Sequence, residues 1–260
     1  MPGALVPEAG LTIWNEELFL EVNESDLVET DGEPMDSDWH RRCMNLLIDQ
    51  IEQHFRDRDD FYVGGNMFIY FSAEQARNKD FRGPDFFFVA NTNRIPARRF
   101  WIVWREKGRT PNVVIELSSP STVDEDHGPK FAIYRDKLKV GDYFIFDPDT
   151  NILEGWRLVA GEYEPLATDV AGRLYSQELE LSLGIWERDI GGFRTTWLRF
   201  FDGEGKVLPT PMEAERAHAN AEKQRANAEK QRADSAEAEN ARLRALLAKQ
   251  SGSTNGVNPH

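Results

Sequence analysis

Apolar residues recur at three- and four-residue steps early in the chain, at Met44, Leu47, Ile48, Ile51 and Phe55. That period predicts an amphipathic helix of about five turns beginning near Trp39, with Ser37 or Asp38 as its cap. His40 reads as a residue on its surface. The pattern then changes. FYVGGNMFIYFS (61–72) reads as a strand with a glycine interruption. Pro84 to Val89 is short and almost wholly apolar, a buried strand. RRFWIVWRE (98–106) predicts a further strand or hairpin arm. Asn112 to Leu117 is a second buried strand, with Val113, Ile115 and Leu117 on one face and Val114, Glu116 and Ser118 on the other. Gly128 and Pro129 then open a helix whose buried stripe is Phe131, Tyr134 and Leu138. DYFIFDP (142–148) follows as a strand ending in a turn, where Asp147 reads as structural. From Ile152 to Phe201 short β-like runs alternate with turn residues, predicting added hairpins. This order implies an α+β (α/β) fold, a mixed sheet with helices packed against it.

The C-terminal pattern differs. AEKQRAN (221–227) is followed by AEKQRAD (228–234), a seven-residue near-repeat in a segment rich in good helix formers. Ala226, Ala233, Asn240 and Leu247 fall on one seam position, and Ala236 and Leu243 on the other. Glu222 and Glu229 weaken the start of that seam. A coiled coil and a solvated single helix both remain open. Four segments result: an N-terminal extension (1–30), a globular domain (31–210), a charged Ala-rich helix (211–250) and a disordered tail (251–260).

Composition narrows the class. The 260 residues include 16 Phe and 7 Trp, ample for a core, and a single cysteine, Cys43, which excludes an internal disulfide. A reducing, cytoplasmic setting is the expectation. No run approaches 18 apolar residues, so no membrane span is expected. The net charge is −14. Residues 211–250 are nearly neutral, with 8 basic and 7 acidic residues, so the remainder carries −15. Such a balance opposes nucleic-acid binding in general. Locally it reverses: Arg98, Arg99, Arg105, Lys107 and Arg109 face only Glu106 in sequence, and are candidates for phosphate contact or for protecting an edge strand.

The chemistry concentrates in PNVVIELSSPST (111–122) and GPDFFFV (83–89). Each apolar run carries one carboxylate, Glu116 and Asp85, and burying a carboxylate is costly unless something pairs with it. If the two strands are neighbours, both acids reach one ion, since strands lie about 4.8 Å apart. A hard cation such as magnesium suits one or two carboxylates and keeps its remaining waters. Lys130, just downstream, adds a positive charge. No G-x-S-x-G, P-loop, zinc-ligand spacing or dinucleotide glycine fingerprint is present.

These residues resemble the PD-(D/E)XK nuclease superfamily and, more closely, the Uma-type family of restriction-endonuclease-like proteins. The resemblance covers roughly residues 31–210. It rests on Pro84-Asp85, Glu116 within VIELSSPST, Asp126, Lys130 to Tyr134, Gly141 and YFIFDP. It implies a restriction-endonuclease-like αβββαβ core with a mixed central sheet, extra β-hairpins and a long C-terminal helix. It also implies Mg2+ as cofactor, with Mn2+ able to substitute, and DNA as the partner. By that resemblance Asp85, Glu116 and Lys130 are catalytic, and Asp85, Glu116 and Glu33 (in DGEP) bind the metal. Outside the resemblance, the local charge of Arg98, Arg99, Arg105, Lys107 and Arg109 makes them the candidates for substrate binding. One departure stands out: the superfamily lysine two residues after the glutamate is here Ser118, and the Uma-type pattern draws the lysine from the following helix, where Lys130 fits. A homo-oligomer, a dimer in particular, suits an enzyme that cuts two strands. Two other readings stay open: a catalytically silent interaction module on the same fold, and an assembly protein working through its helical tail.

Overall fold

A computed structural model describes residues 27–28, 37–78, 83–190 and 192–253, with the side chains of 193–194 and 248–253 excepted. The chain divides into two units, Met1–Thr210 and Pro211–His260.

The first unit opens with helix α1 (Asp38–His54), capped by Ser37, whose hydroxyl accepts from the His40 amide at 3.0 Å. Its buried face carries Cys43, Met44, Leu47, Gln50 and Ile51. Burial pushes the Cys43 thiol up to about 12, so it stays an inert core residue. The main sheet has six strands, β1 (Phe61–Gly64), β3 (Phe86–Ala90), β5 (Val113–Leu117), β6 (Asp142–Asp147), β7 (Ile152–Val159) and β8 (Glu162–Pro165), adjacent in that order. Every pairing is antiparallel except β5 with β6. That parallel pair needs a crossover, supplied by helices α3 (Val123–His127) and α4 (Pro129–Asp136). The sequence α1, β1, β3, β5, α4, β6 is the αβββαβ core, on a mixed sheet.

The alternation of β5 splits the core in two. Val113, Ile115 and Leu117 join the α1 layer, with Phe86, Phe88, Phe144 and Phe146. Val114 joins the opposite layer, with Phe87, Val89, Tyr134, Tyr143 and Ile145. A three-stranded antiparallel sheet, β11 (Phe193–Phe201), β10 (Leu181–Ile190) and β9 (Leu174–Ser176), supplies the hairpins expected after residue 152. It closes the α1 side: Gln50 of α1 donates to the Leu208 carbonyl at 2.6 Å and accepts from the Phe200 amide at 3.1 Å.

Several local expectations are corrected. The run 61–72 is two strands in different sheets, β1 and β2 (Ile69–Tyr70), because the chain turns at Gly64-Gly65-Asn66. There the Asn66 amide donates to the Pro84 carbonyl at 2.8 Å. Within 98–106 only β4 (Trp101–Ile102) is extended; it pairs in parallel with β2, and residues 103–108 form turns. A short helix, α2 (Ala73–Asn78), follows β2. Leu138 is buried but lies past the end of α4, where its amide still bonds the Ile133 carbonyl at 3.0 Å. Asp147 is structural, accepting from the Asp149 and Thr150 amides and the Thr150 hydroxyl.

The second unit is one helix, α5 (Pro211–Ser253). Its 43 residues correspond to roughly 65 Å of length. Residues 251–253, expected to be disordered, continue the helix; 254–260 lie outside the described residues. Among the described residues no helix is long and apolar enough to cross a membrane.

Candidate active site

Helix α4 begins at Pro129, whose fixed φ suits a first helical position. That start puts Lys130 and Tyr134 one turn apart on a single helix face, and this face lies over the strand carrying Glu116. The Lys130 ammonium sits 3.2 Å from Glu116 Oε2, and the Tyr134 hydroxyl donates to Glu116 Oε1 at 2.6 Å. Glu116, only 1% exposed in the middle of the sheet, thus has both oxygens held from one helix.

Lys130 has a second partner, Asp126 Oδ1, at 2.8 Å. Asp126 is also 1% exposed and comes from α3, four residues earlier. The Tyr143 hydroxyl on β6 donates to the Asp126 carbonyl at 2.9 Å, which pins α3 to the sheet.

Asp85 enters from the neighbouring strand. The antiparallel register of β3 and β5 ends with Phe86 opposite Ile115. Continued by one residue, it sets Asp85 opposite Glu116, and opposed residues share a face. Asp85 Oδ2 accepts from the Leu117 amide at 2.7 Å, and Asp85 Oδ1 lies 2.5 Å from His40 Nε2. His40 is therefore not a surface residue. It stands one turn before Met44 on the stripe that continues through Leu47 and Ile51, and that spacing is the signal that identifies it. Asp126 and Tyr134 have signals of the same kind, each lying four residues from Lys130.

The electrostatics follow from burial and a charge imbalance. Burial raises the Glu116 acid to about 8; Lys130 and the Tyr134 hydrogen bond oppose the rise, while Asp85 and Asp126 add to it. Burial works against the Lys130 ammonium, yet Glu116 and Asp126 outweigh it and hold that pKa above the ordinary value. Tyr134 is pushed well above its usual range by burial and by Glu116. Lys130 stands between Glu116 and Asp126, and His40 beside Asp85 is the second group of the cluster able to carry positive charge.

Asp85 and Glu116 offer what a hard divalent cation accepts from a protein: one or two carboxylates, each oxygen retaining a lone pair beyond its hydrogen bond. Ser118 Oγ strengthens the fit. It is buried on the Glu116 face with no hydrogen-bond partner among the described residues, which suits a water or a hydrated ion. Glu33 lies outside the described residues. Among the described residues no group of three or more His, Cys, Asp or Glu side chains is arranged to hold a metal.

The basic residues lie elsewhere. Arg98, Arg105, Lys107 and Arg109 line a common pocket with Asn91 and Asn93, beyond the end of β3 opposite to Asp85. Arg98 is committed to structure: it binds Glu106 through two hydrogen bonds, at 2.5 and 3.1 Å, and stacks over Tyr62 and Trp101. Arg99 stacks over Phe100 and does not line that pocket. The fold therefore brings Asp85, Glu116 and Lys130 together and separates them from the arginines.

The chain is similar to a solved structure of a putative nuclease belonging to DUF820 from Anabaena variabilis. The two share 14% identity, with 62% of this chain and 88% of that one covered and a TM-score of 0.41. A comparison with curated proteins found no match. A family model, Uma2, described as putative restriction endonuclease, matches residues 20–191. That span takes in α1, the strands bearing Asp85 and Glu116, and the helix bearing Lys130, and the chain belongs to the Uma2 family.

Proposed function

We propose that the protein is a divalent-cation-dependent endonuclease of the PD-(D/E)XK type that hydrolyses phosphodiester bonds in DNA. The observation that carries the reading is Glu116: a carboxylate buried in a sheet centre, opposite a second acid and held from one helix by a lysine and a tyrosine.

Asp85 and Glu116 bind the cation, Mg2+ or in its place Mn2+, and Glu33 is a further candidate ligand. The cation, when bound, offsets the negative charge of the phosphodiester and acidifies water. Lys130 orients the attacking water and stabilises charge as it develops on the phosphate. Asp126 positions Lys130, and Tyr134 fixes the Glu116 carboxylate. His40 and the Leu117 amide hold Asp85 facing the same site.

The test is cleavage of plasmid DNA by the full chain with Mg2+ or Mn2+, beside Asp85→Ala and Glu116→Ala. Wild type is expected to nick or linearise the plasmid, and each variant to lose at least about a hundredfold in rate. Equal cleavage by all three proteins would sink the assignment.

A further inference from the structure

Helix α5 buries little of its own surface. Every residue from Glu222 to Leu247 is exposed, and Leu243 and Leu246 are exposed by 49% and 50%. A helix in a protein draws most of its stability from packing an apolar face, and clustered exposed leucines mark an interaction surface.

The heptad seam locates that surface. With Ala233, Asn240 and Leu247 at the a positions, Ala236 and Leu243 fall at d. Upstream the same d position holds Glu222 and Glu229, so like charges would meet there in a pair. The stretch able to pair is therefore 232–247, in the second half of the helix.

The flanking charges identify the occupant. In a parallel two-stranded coil, a g residue faces the e residue five positions further along its partner. Arg232 then meets Glu237 of a second copy, and Glu239 meets Arg244 of that copy, each twice by symmetry. Leucine opposes leucine along the seam. Asn240 opposes itself, as an a-position amide that fixes register and strand number. Antiparallel pairing fits worse. Its registers set Leu243 against Ala226, Ala233 or Asn240, and the one that sets it against Leu247 opposes Arg244 to Arg244.

We propose that residues 232–247 of α5 bind the same segment of a second copy as a parallel two-stranded coiled coil. The pairing is independent of the chemistry of the first unit, and it gives the assembly two copies of the acidic cluster.

Sedimentation equilibrium of the full chain at about 0.1 mM, well above a micromolar dissociation constant, tests the pairing. Wild type is expected at the mass of two chains. Leu243→Glu places like charges across the seam. It is expected to weaken pairing at least about a hundredfold and to give the mass of one chain, with thermal unfolding of the first unit unchanged. Disulfide trapping reads the orientation. Cys43 is buried, so cross-linking under mild oxidation reports an added cysteine. Ala236→Cys, which faces itself in the parallel register, is expected to link two chains. Ala241→Cys, on the outward face, is expected to stay unlinked. A wild-type mass of one chain or of more than two, a two-chain mass that survives Leu243→Glu, or linking no better at 236 than at 241 overturns the proposal.

Discussion

The two ends of β3 carry opposite charge in opposite settings. At one end Asp85 lies across from Glu116, and the charged groups around them are buried and joined by short hydrogen bonds. At the other end the basic loops surround an open pocket, and Arg105 and Lys107 are exposed to solvent. The same Coulomb interaction acts at both ends, but its strength depends on the water left around it. Removing a partner from a buried pair leaves an uncompensated charge and costs several kcal/mol. Altering a solvated cation costs the fold almost nothing and shifts only what it attracts.

That contrast is open to test, and the largest effect is expected at Lys130. Lys130→Ala leaves Glu116 and Asp126 buried without their cation, so a loss of about 3–5 kcal/mol in unfolding free energy is expected, measurable by urea titration. Lys130→Met, which keeps the packing, is expected to cost less while still abolishing cleavage. A stability loss under about 1 kcal/mol for Lys130→Ala would erase the distinction between the two ends.

Gly65 probes the same end through the backbone. A Cβ added there would clash with the Asp85 carbonyl oxygen, and backbone has no easy way to yield. Gly65→Ala is expected to cost about 1–3 kcal/mol and to displace Asp85, with cation affinity falling alongside stability. Gly161 shows nothing within 4 Å of an added Cβ but has a φ of +94°. Gly161→Ala is expected to cost only about 1 kcal/mol of backbone strain and to leave cation affinity intact.

The pH dependence sharpens the comparison further. Burial sets the Glu116 acid near 8 in the folded chain, against an ordinary 4.5. The native state therefore holds a proton that the unfolded chain has released over that interval. This contribution to stability is complete below pH 4.5 and declines as pH rises toward 8. In denaturation measured across this range without divalent cation, Glu116→Gln is expected to flatten the decline. Added Mg2+ is expected to flatten it in wild type as well, by favouring the ionised carboxylate and releasing a proton on binding. An unchanged slope in Glu116→Gln would assign the titration to another group.

The smallest effects are expected away from the acids. Lys107→Glu is expected to change stability by no more than about 0.5 kcal/mol, while reducing the salt dependence of DNA binding by about one phosphate contact. Removing residues 211–260 is expected to leave the melting temperature of the first unit unchanged. If the heptad seam pairs two chains, the same truncation halves the mass in solution; an unchanged mass rules out a coiled-coil dimer.

Much of this site was legible before the fold was seen. An isolated carboxylate in an apolar run carries its own demand for a partner, which singled out Glu116 within β5 and Asp85 just ahead of β3. Lys130 came from the family resemblance, and the Pro129 helix start placed it near the end of β5. His40 was misplaced on the surface because the apolar stripe of its helix was read from Met44 onward, although the buried face extends back one turn. The division of 61–72 between two sheets was half legible: the Gly64-Gly65 interruption shows in the sequence, but that the chain there leaves one sheet for another depends on contacts with the distant Pro84-Asp85 segment. The separation of the arginines from the acids was not legible, because closeness along the chain says nothing of which end of a strand a loop occupies.

The sequence by itself determined the period of each element, the faces of β5 and the residues that cannot be buried alone. Those are local properties, set by side-chain alternation and by the cost of desolvating charge. Tertiary structure alone decided the register that opposes Asp85 to Glu116, the capture of Asp85 by His40 from a helix 45 residues away in sequence, and the remote position of the basic pocket. Register and packing depend on contacts between distant segments, and no local pattern specifies which segments will meet.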